Sequence, residues 1–370
     1  MNGSVELLRQ PLSVQLTSAA TEEDFPAATV GPDGKLWLVY IKHERGTPIT
    51  LPADGSIPKD WSSLVTKDNG DQVLLMCYDG QRWSEPVAVT PRRLDLWRPS
   101  VAVYGGKVVV AWSQNFDGEW DLCLRSYEPA SGRWSERRRV ERAGADIHVQ
   151  LVASPDGSNA WLIWQGWTEA NFDILAQNIE QLGRTDPIQL TSTPANEWTP
   201  AAAVDRNGTL YVVYDSYRNG NYDVYLNIGL NETVAVAATP RFEARPHLAV
   251  DERGRVWIAY EEGDPNWGKD FGTRWPGRTG APFYLYRTIA VRVWSGGKLL
   301  EPLESVPVDP VNTRFGDGKR RRASLPRLAF DRAGRLWLTY RRHALLTGVG
   351  TVWASFATYY SGGRWSAVIP

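Results

Sequence analysis

Carboxylates, guanidinium groups and aromatic rings recur at two kinds of place in this 370-residue chain. Just before one type of apolar run stand Asp24, Trp97, Arg98, His148, Glu197, Trp198, Glu243 and Arg245. Just after another stand His43, Gln114, Gln165, Trp167, Asp215, Tyr217, Glu261, Glu262, Arg341, Arg342 and His343. Brought to one place, such side chains suit a polar ligand, a sugar or a peptide. Carboxylate pairs among them could also cleave a glycosidic bond, at separations of ~5–5.5 Å for retention or ~6.5–9.5 Å for inversion. No spacing singles out a pair, so the catalytic residues stay unassigned. The ligand-binding candidates are Trp97, Arg98, His148, Glu197, Trp198, Asp215, Tyr217, Glu243, Arg245, Glu261, Arg341 and His343.

Other chemically suggestive residues read as scaffold. Asp121, Asp173 and Asp223 follow an aromatic residue in successive repeats, which argues for acceptors of backbone hydrogen bonds at a strand start. His43 and His343 stand at matching positions, each three residues after an aromatic. The chain has neither H-x-x-x-H nor C-x-x-C, so no metal and no cofactor are expected. Cys77 and Cys123 lie in strand-like runs and read as small buried hydrophobes.

The elements that must position these groups are repeats. An anchor, usually Pro, opens an apolar run; a Gly turn follows, then an aromatic-ended apolar run. Copies span Pro26 to Tyr40, Pro99 to Trp112, Pro200 to Tyr214, Pro246 to Tyr260 and Pro326 to Tyr340. A sixth runs from Gln150 to Trp164, with Gln at the Pro place. The spacings fit one four-stranded sheet per repeat, and no segment carries sustained helical periodicity. The reading is all-β: a single β-propeller of six blades, or seven if the native chain continues. The blades fall at about 25–90, 97–140, 147–191, 197–239, 244–306 and 324–370. Residues 11–18, PLSVQLTS, read as an extra N-terminal strand closing the ring, although Trp365–Pro370 also reads as the outer strand of the last blade.

The bulk properties narrow the partners. The net charge is -1, with 41 basic and 42 acidic residues, so nucleic acid is not expected as a partner. No apolar run spans a bilayer. The N-terminus has no leader pattern; the compartment is open, exported if a leader has been removed and otherwise cytoplasmic. A monomer is expected. The eighteen Trp residues recur at repeat positions and read as packing between sheets.

At its D-x-x-G-x-x-W and Gly-x-Trp-Ser turns the chain resembles sialidase-like and TolB-like bacterial β-propellers. The sialidase Asp-box is nearest at Ser154-Pro-Asp156-Gly157-Ser-Asn-Ala-Trp161, with the Gly one place early. The FEARP and NWGKDFG stretches resemble propeller modules of multidomain bacterial proteins. The resemblance implies a propeller fold. By analogy with sialidases it offers Arg98, Arg245 and Arg341 as clamps on a substrate carboxylate, with Glu197, Glu243, Asp215 or Tyr217 for chemistry.

In a meander blade the loops sort by face. The long insertions, 41–70, 261–283 and 307–325, belong to one face of repeats five, six and one, where function is expected to sit. Two functions follow. The first is a non-catalytic module, possibly an accessory part of a larger bacterial protein, binding a polar small molecule, glycan or protein partner at that face. The second is a carbohydrate-active enzyme of the sialidase-like, glycoside-hydrolase type.

Overall fold

The computed structural model describes residues 14–47, 54–56, 68–265, 287–308, 323–346 and 350–369. Within them the chain forms six antiparallel sheets, each a four-strand meander A-B-C-D, arranged as the blades of a β-propeller. The innermost strands are Glu22–Val30, Leu96–Tyr104, Asp146–Ala153, Glu197–Val204, Glu243–Val250 and Ala323–Phe330. In blade 2 the outer strand comes in two pieces, Arg133–Trp134 and Arg138–Val140, both paired with Glu119–Glu128.

Strand B reads as an unbroken apolar run because both of its faces are buried between blades. In Leu210–Ser216, Tyr211 and Val213 pack toward blade 5, while Val212 and Tyr214 pack toward blade 3. Five seams between consecutive blades each carry such a buried cluster. On blade 1, Tyr40, Leu74 and Met76 form a much smaller buried group. The A–B turn of blade 6 touches that of blade 1 through an Arg332 guanidinium on the Gly34 carbonyl, 3.3 Å.

The recurrent turn residues build the blades. Asp331 Oδ1 accepts the Ala333 and Arg335 amides, at 2.9 and 3.0 Å, and its Oδ2 accepts from Arg335 Nε and the Trp337 indole. Asp251 repeats all four contacts in blade 5. In the Gly-x-Trp-Ser turns the hydroxyls of Ser84, Ser135 and Ser366 each accept a strand-C amide at 3.0 Å and donate to the next carbonyl. The Ser stands in for a backbone acceptor where strand D diverges from strand C.

Three expectations change. By register, Gln150 pairs with Ile163 as Ala201 pairs with Val213, so Val149, not Gln150, holds the Pro place. The A–B turn of blade 3 closes Ser154 N onto Asn159 O, one residue longer than Asp205 N onto Thr209 O, which displaced the alignment. The strand expected over 11–18 is not seen over 14–18, which is irregular; residues 11–13 lie outside the described residues. The outer strand of blade 6 is instead C-terminal, Arg364–Trp365, with a further bridge from Ala357 to Ile369. Asp121, Asp173 and Asp223 do act as acceptors, but mainly from side chains: Arg139 Nε for the first, Thr191 Oγ1 for the second, Asn219 Nδ2 for the third. Asp121 takes a backbone amide as well, from Arg142, at a longer 3.4 Å.

Cys123 is fully buried, which pushes its thiol up to about 12. Cys77 is half-buried, and neither cysteine is in a disulfide.

The Asp331 contacts generate a test. Asp331→Ala strands the Trp337 indole and two turn amides, and is expected to cost about 1–3 kcal/mol. The readout is a lowered urea midpoint at unchanged slope. A midpoint equal to the parent's would show that the turn closes without its carboxylate.

Candidate functional site

Every innermost strand carries a bulge at the same place. The register slips between Asp24 and Ala27, Trp97 and Ser100, Ile147 and Gln150, Trp198 and Ala201, Ala244 and His247, and Ser324 and Arg327. At the slip one non-glycine residue adopts left-handed φ: Phe25 (51°), Arg98 (34°), His148 (57°), Thr199 (48°), Arg245 (52°) and Leu325 (56°). Left-handed backbone costs an L-residue roughly 1–2 kcal/mol, and a bulge re-aims a side chain. These residues stand at the end of the blades that carries the B–C and D–A connections.

Over blades 3, 4 and 5 this end holds a cavity of about 310 Å³. Its lining is His148 and Gln165 from blade 3, Trp198, Thr199, Asp215 and Tyr222 from blade 4, and Phe242, Ala244 and Arg245 leading into blade 5. Trp198, Tyr222 and Phe242 form an aromatic wall, with Tyr222 5.2 Å from Trp198 and 5.4 Å from Phe242 between ring centres.

Asp215 is the polar centre of this cavity. Its carboxyl is buried, which pushes its pKa up to about 7. A hydrogen bond from the Thr199 hydroxyl, the Arg245 charge and the Arg245 backbone amide pull the other way. The partial compensation leaves a carboxyl able to take or give a proton near neutrality. His148 behaves oppositely: burial, then the Arg98 charge, depress it to about 4, so it is neutral at pH 7. It stacks on Trp97 at 5.9 Å, and Arg98 lies over the Phe25 and Trp97 rings at 5.4 and 5.5 Å.

Glu261 occupies in blade 5 the position that Asp215 holds in blade 4 and Gln165 in blade 3. It is fully buried and pairs with Arg287 (2.5 Å) and Arg245 (3.1 Å), and it accepts from Ser324 Oγ and Leu325 N. Its acceptor sites are filled, so it anchors Arg245 and the next blade rather than facing a ligand. The same link recurs across the seam between blades 3 and 4, where Gln165 accepts the Thr199 amide at 3.4 Å; Asp215 faces the Arg245 backbone from the equivalent position, near enough for that amide to lower its pKa. In each case the side chain ending strand B clasps the left-handed residue of the following blade.

The sequence candidates thus divide. Trp198, Asp215, Arg245 and His148 line the cavity, with Trp97 and Arg98 beside it. Glu197 and Glu243 brace their own D–A loops through Thr-Pro-x-x-Glu: Thr193 Oγ1 donates to Glu197 at 2.6 Å, Thr239 N and Oγ1 to Glu243 at 2.9 and 2.7 Å. Burial raises both carboxyls. Tyr217 packs edge-on to Tyr222 at 5.1 Å without lining the cavity. Arg341 pairs with Ser324, and His343 sits edge-on to Trp353 at 4.1 Å, both in blade 6. His43 bonds Asp71 at 2.7 Å in blade 1, and among the described residues no group of three His, Cys, Asp or Glu forms a metal site.

Thr199, Tyr222, Phe242 and Ala244 were not among the candidates. Thr199 had a visible signal: with Arg98 and Arg245 it occupies the residue before the anchor Pro. Of the expected loop wall, residues 48–53, 57–67, 266–283 and 309–322 lie outside the described residues. The cavity is on blades 3 to 5, whereas the expected wall belongs to blades 5, 6 and 1; among the described residues none of the wall lines the cavity.

No protein-family model and no curated protein matches the chain. Solved structures do. An ulvan lyase of polysaccharide lyase family PL25, bound to GlcA(1-4)Rha3S, superposes with TM-score 0.52 at 12% identity over 90% of this chain and 80% of that one. A variant of the NanB sialidase from Streptococcus pneumoniae gives 0.52 at 8% over 89% and 68%. A protein of unknown function from Dyadobacter fermentans gives 0.51 at 9% over 90% and 94%. The likeness is one of fold. It agrees with the sialidase side of the resemblance read from the turns, and it leaves the chemistry to the cavity itself. Among the described residues no helix is long and apolar enough to cross a membrane.

Two titrations check the cavity. Asp215 has a raised folded pKa, so the protonated form stabilises the fold; its contribution is complete below pH 3.8 and is lost as pH rises through about 7. The stability difference between the parent and Asp215→Asn is therefore expected to fall steadily across that window, and a constant difference would mark Asp215 as an ordinary carboxylate. His148 is expected to titrate near pH 4 by NMR, with its pKa rising in Arg98→Gln.

Proposed function

We propose that the chain is a carbohydrate-active protein that binds a glycan at the channel mouth of blades 3 to 5 and cleaves it there, with Asp215 transferring the proton. The observation that carries this reading is a buried carboxyl with a pKa near 7 in an aromatic-walled cavity beside a guanidinium. Ring faces of Trp198, Tyr222 and Phe242 suit the apolar faces of sugar rings, and Arg245 and Gln165 offer donors to hydroxyl or carboxylate oxygens. Asp215 in its protonated form can donate to a leaving glycosidic oxygen; ionised, it can accept a proton from an attacking water or from the sugar. Neutral His148 offers one donor and one acceptor nitrogen to the same space. The propeller lyase and sialidase folds that superpose on the chain are compatible with this reading without specifying the bond cleaved.

The non-catalytic binding reading uses the same cavity. What favours it is the position of Asp215 in the series Gln165, Asp215, Glu261, whose shared task is to hold the next blade. The structure neighbours favour the enzymatic reading over it.

Incubating the protein with a panel of neutral and uronate-containing polysaccharides separates the two. New reducing ends report hydrolysis, and ultraviolet absorbance of an unsaturated uronate reports elimination. On a cleaved glycan, Asp215→Asn is expected to lower kcat by 10²–10⁴-fold, the usual yield of one acid–base group, while the glycan still binds. Binding of a glycan without cleavage of any panel member would establish the non-catalytic reading.

A further inference from the structure

A second concave site lies at the opposite end of the blades, between blades 2 and 3. It is a groove of about 300 Å³ formed at the A–B hairpin of blade 2, its strand C, and the short helical turn that ends strand C of blade 3. Its floor is apolar, made by Val109, Leu124 and Ile179, the first two almost fully buried. Lys107, Arg125 and Arg138 line it as well.

What distinguishes these cations is their partners. Arg125 donates through Nε to the Ser135 carbonyl at 2.9 Å and through Nη1 to the Val89 carbonyl at 2.7 Å. Arg138 donates through Nη2 to the Leu182 carbonyl at 2.7 Å. These neutral carbonyls, and for Arg125 the Trp134 ring 5.1 Å away, hold the guanidinium groups without placing a carboxylate against them. On the same segment Arg139 and Arg142 are instead neutralised, by Asp121 at 2.6 Å and Asp146 at 3.3 Å. Of the acidic side chains near the groove, Glu180 has its Oε1 taken by the Tyr104 hydroxyl at 2.5 Å. Glu128, near enough to feel the Lys107 charge, is held by Ser131 and Arg133.

We propose that this groove binds a small amphipathic monoanion, an aromatic or aliphatic carboxylate or sulfonate. Its apolar body would lie on Val109, Leu124 and Ile179, and its anionic head among Lys107, Arg125 and Arg138. Orienting the guanidinium groups on carbonyls before binding lowers the ordering cost of capture. An apolar floor disfavours inorganic phosphate and free sugars, which would leave it exposed to water. The site is independent of the channel cavity and of the reading made for it.

The test is calorimetric titration with 1-naphthoate and its neutral counterpart 1-naphthalenemethanol at low salt. The acid is expected to bind saturably and at least about tenfold tighter than the alcohol, the order of one charge-assisted contact, with the advantage shrinking as salt is added. Lys107→Gln, in an exposed hairpin, and the double variant with Arg138→Gln are expected to erode that preference while alcohol binding holds. Arg245→Gln, in the channel cavity, is expected to leave it intact. Equal affinity for acid and alcohol, no saturable binding, or loss on Arg245→Gln rather than on the groove variants would overturn the proposal. The acid–alcohol comparison on the unaltered protein decides the matter even if a variant fails to fold.

Discussion

The left-handed residue in each innermost strand is the constraint on which the channel end depends. A non-glycine side chain at positive φ is costly, and here the cost recurs at six equivalent places. It is offset by what the kink permits. Each strand turns one residue out of register, so that consecutive side chains no longer simply alternate between the two neighbouring blades. In blades 2 to 5 this brings Arg98, His148, Thr199 and Arg245 to the channel end, where a regular strand would have sent alternate residues into the seams.

The kink must also be held. In blades 3, 4 and 5 the side chain ending strand B reaches the amide of the next left-handed residue, and the chemistry of that side chain varies: Gln165, Asp215, Glu261. Gln is neutral. Glu261 is saturated by two arginines, a serine and an amide. Asp215 alone of the three combines a raised pKa with a place on the cavity wall. The same structural position therefore yields an inert clasp, an ion-pair anchor and a titratable group, according to what surrounds it. Scaffold and candidate chemistry here are two uses of one contact.

Much of this was legible beforehand because it repeats. Six copies of the anchor-turn-aromatic pattern pointed to six sheets, and the Asp and Ser of the turns recur because each satisfies the same backbone groups in the blades that carry it. The aromatic ends of strand B, from Tyr40 to Tyr340, are all buried as packing residues. The misplacement of Gln150 had a local cause, a turn longer by one residue, which period alone does not reveal. Glu197 and Glu243 looked like ligand groups because a loop-bracing carboxylate and a ligand-binding one share residue type and neighbourhood. Only the short bonds to Thr193 and Thr239 tell them apart.

The sequence by itself determined the fold class and the end of the blades at which polar side chains gather, because these follow from hydrophobic period and turn chemistry, which are local; it left six blades against seven, which the structure decided as six among the described residues. The tertiary structure decided which of those side chains meet. Asp215 and Arg245 are thirty residues apart in sequence, and Asp215 acquires its raised pKa from burial between blades, which outweighs the Thr199 hydroxyl and the Arg245 charge that pull it down. The carbonyls that hold Arg125 and Arg138, at Val89 and Leu182, likewise lie across seams, in blades 1 and 3. Burial, and the identity of a group's nearest partner, belong to packing between repeats, and a repeat pattern says nothing of them.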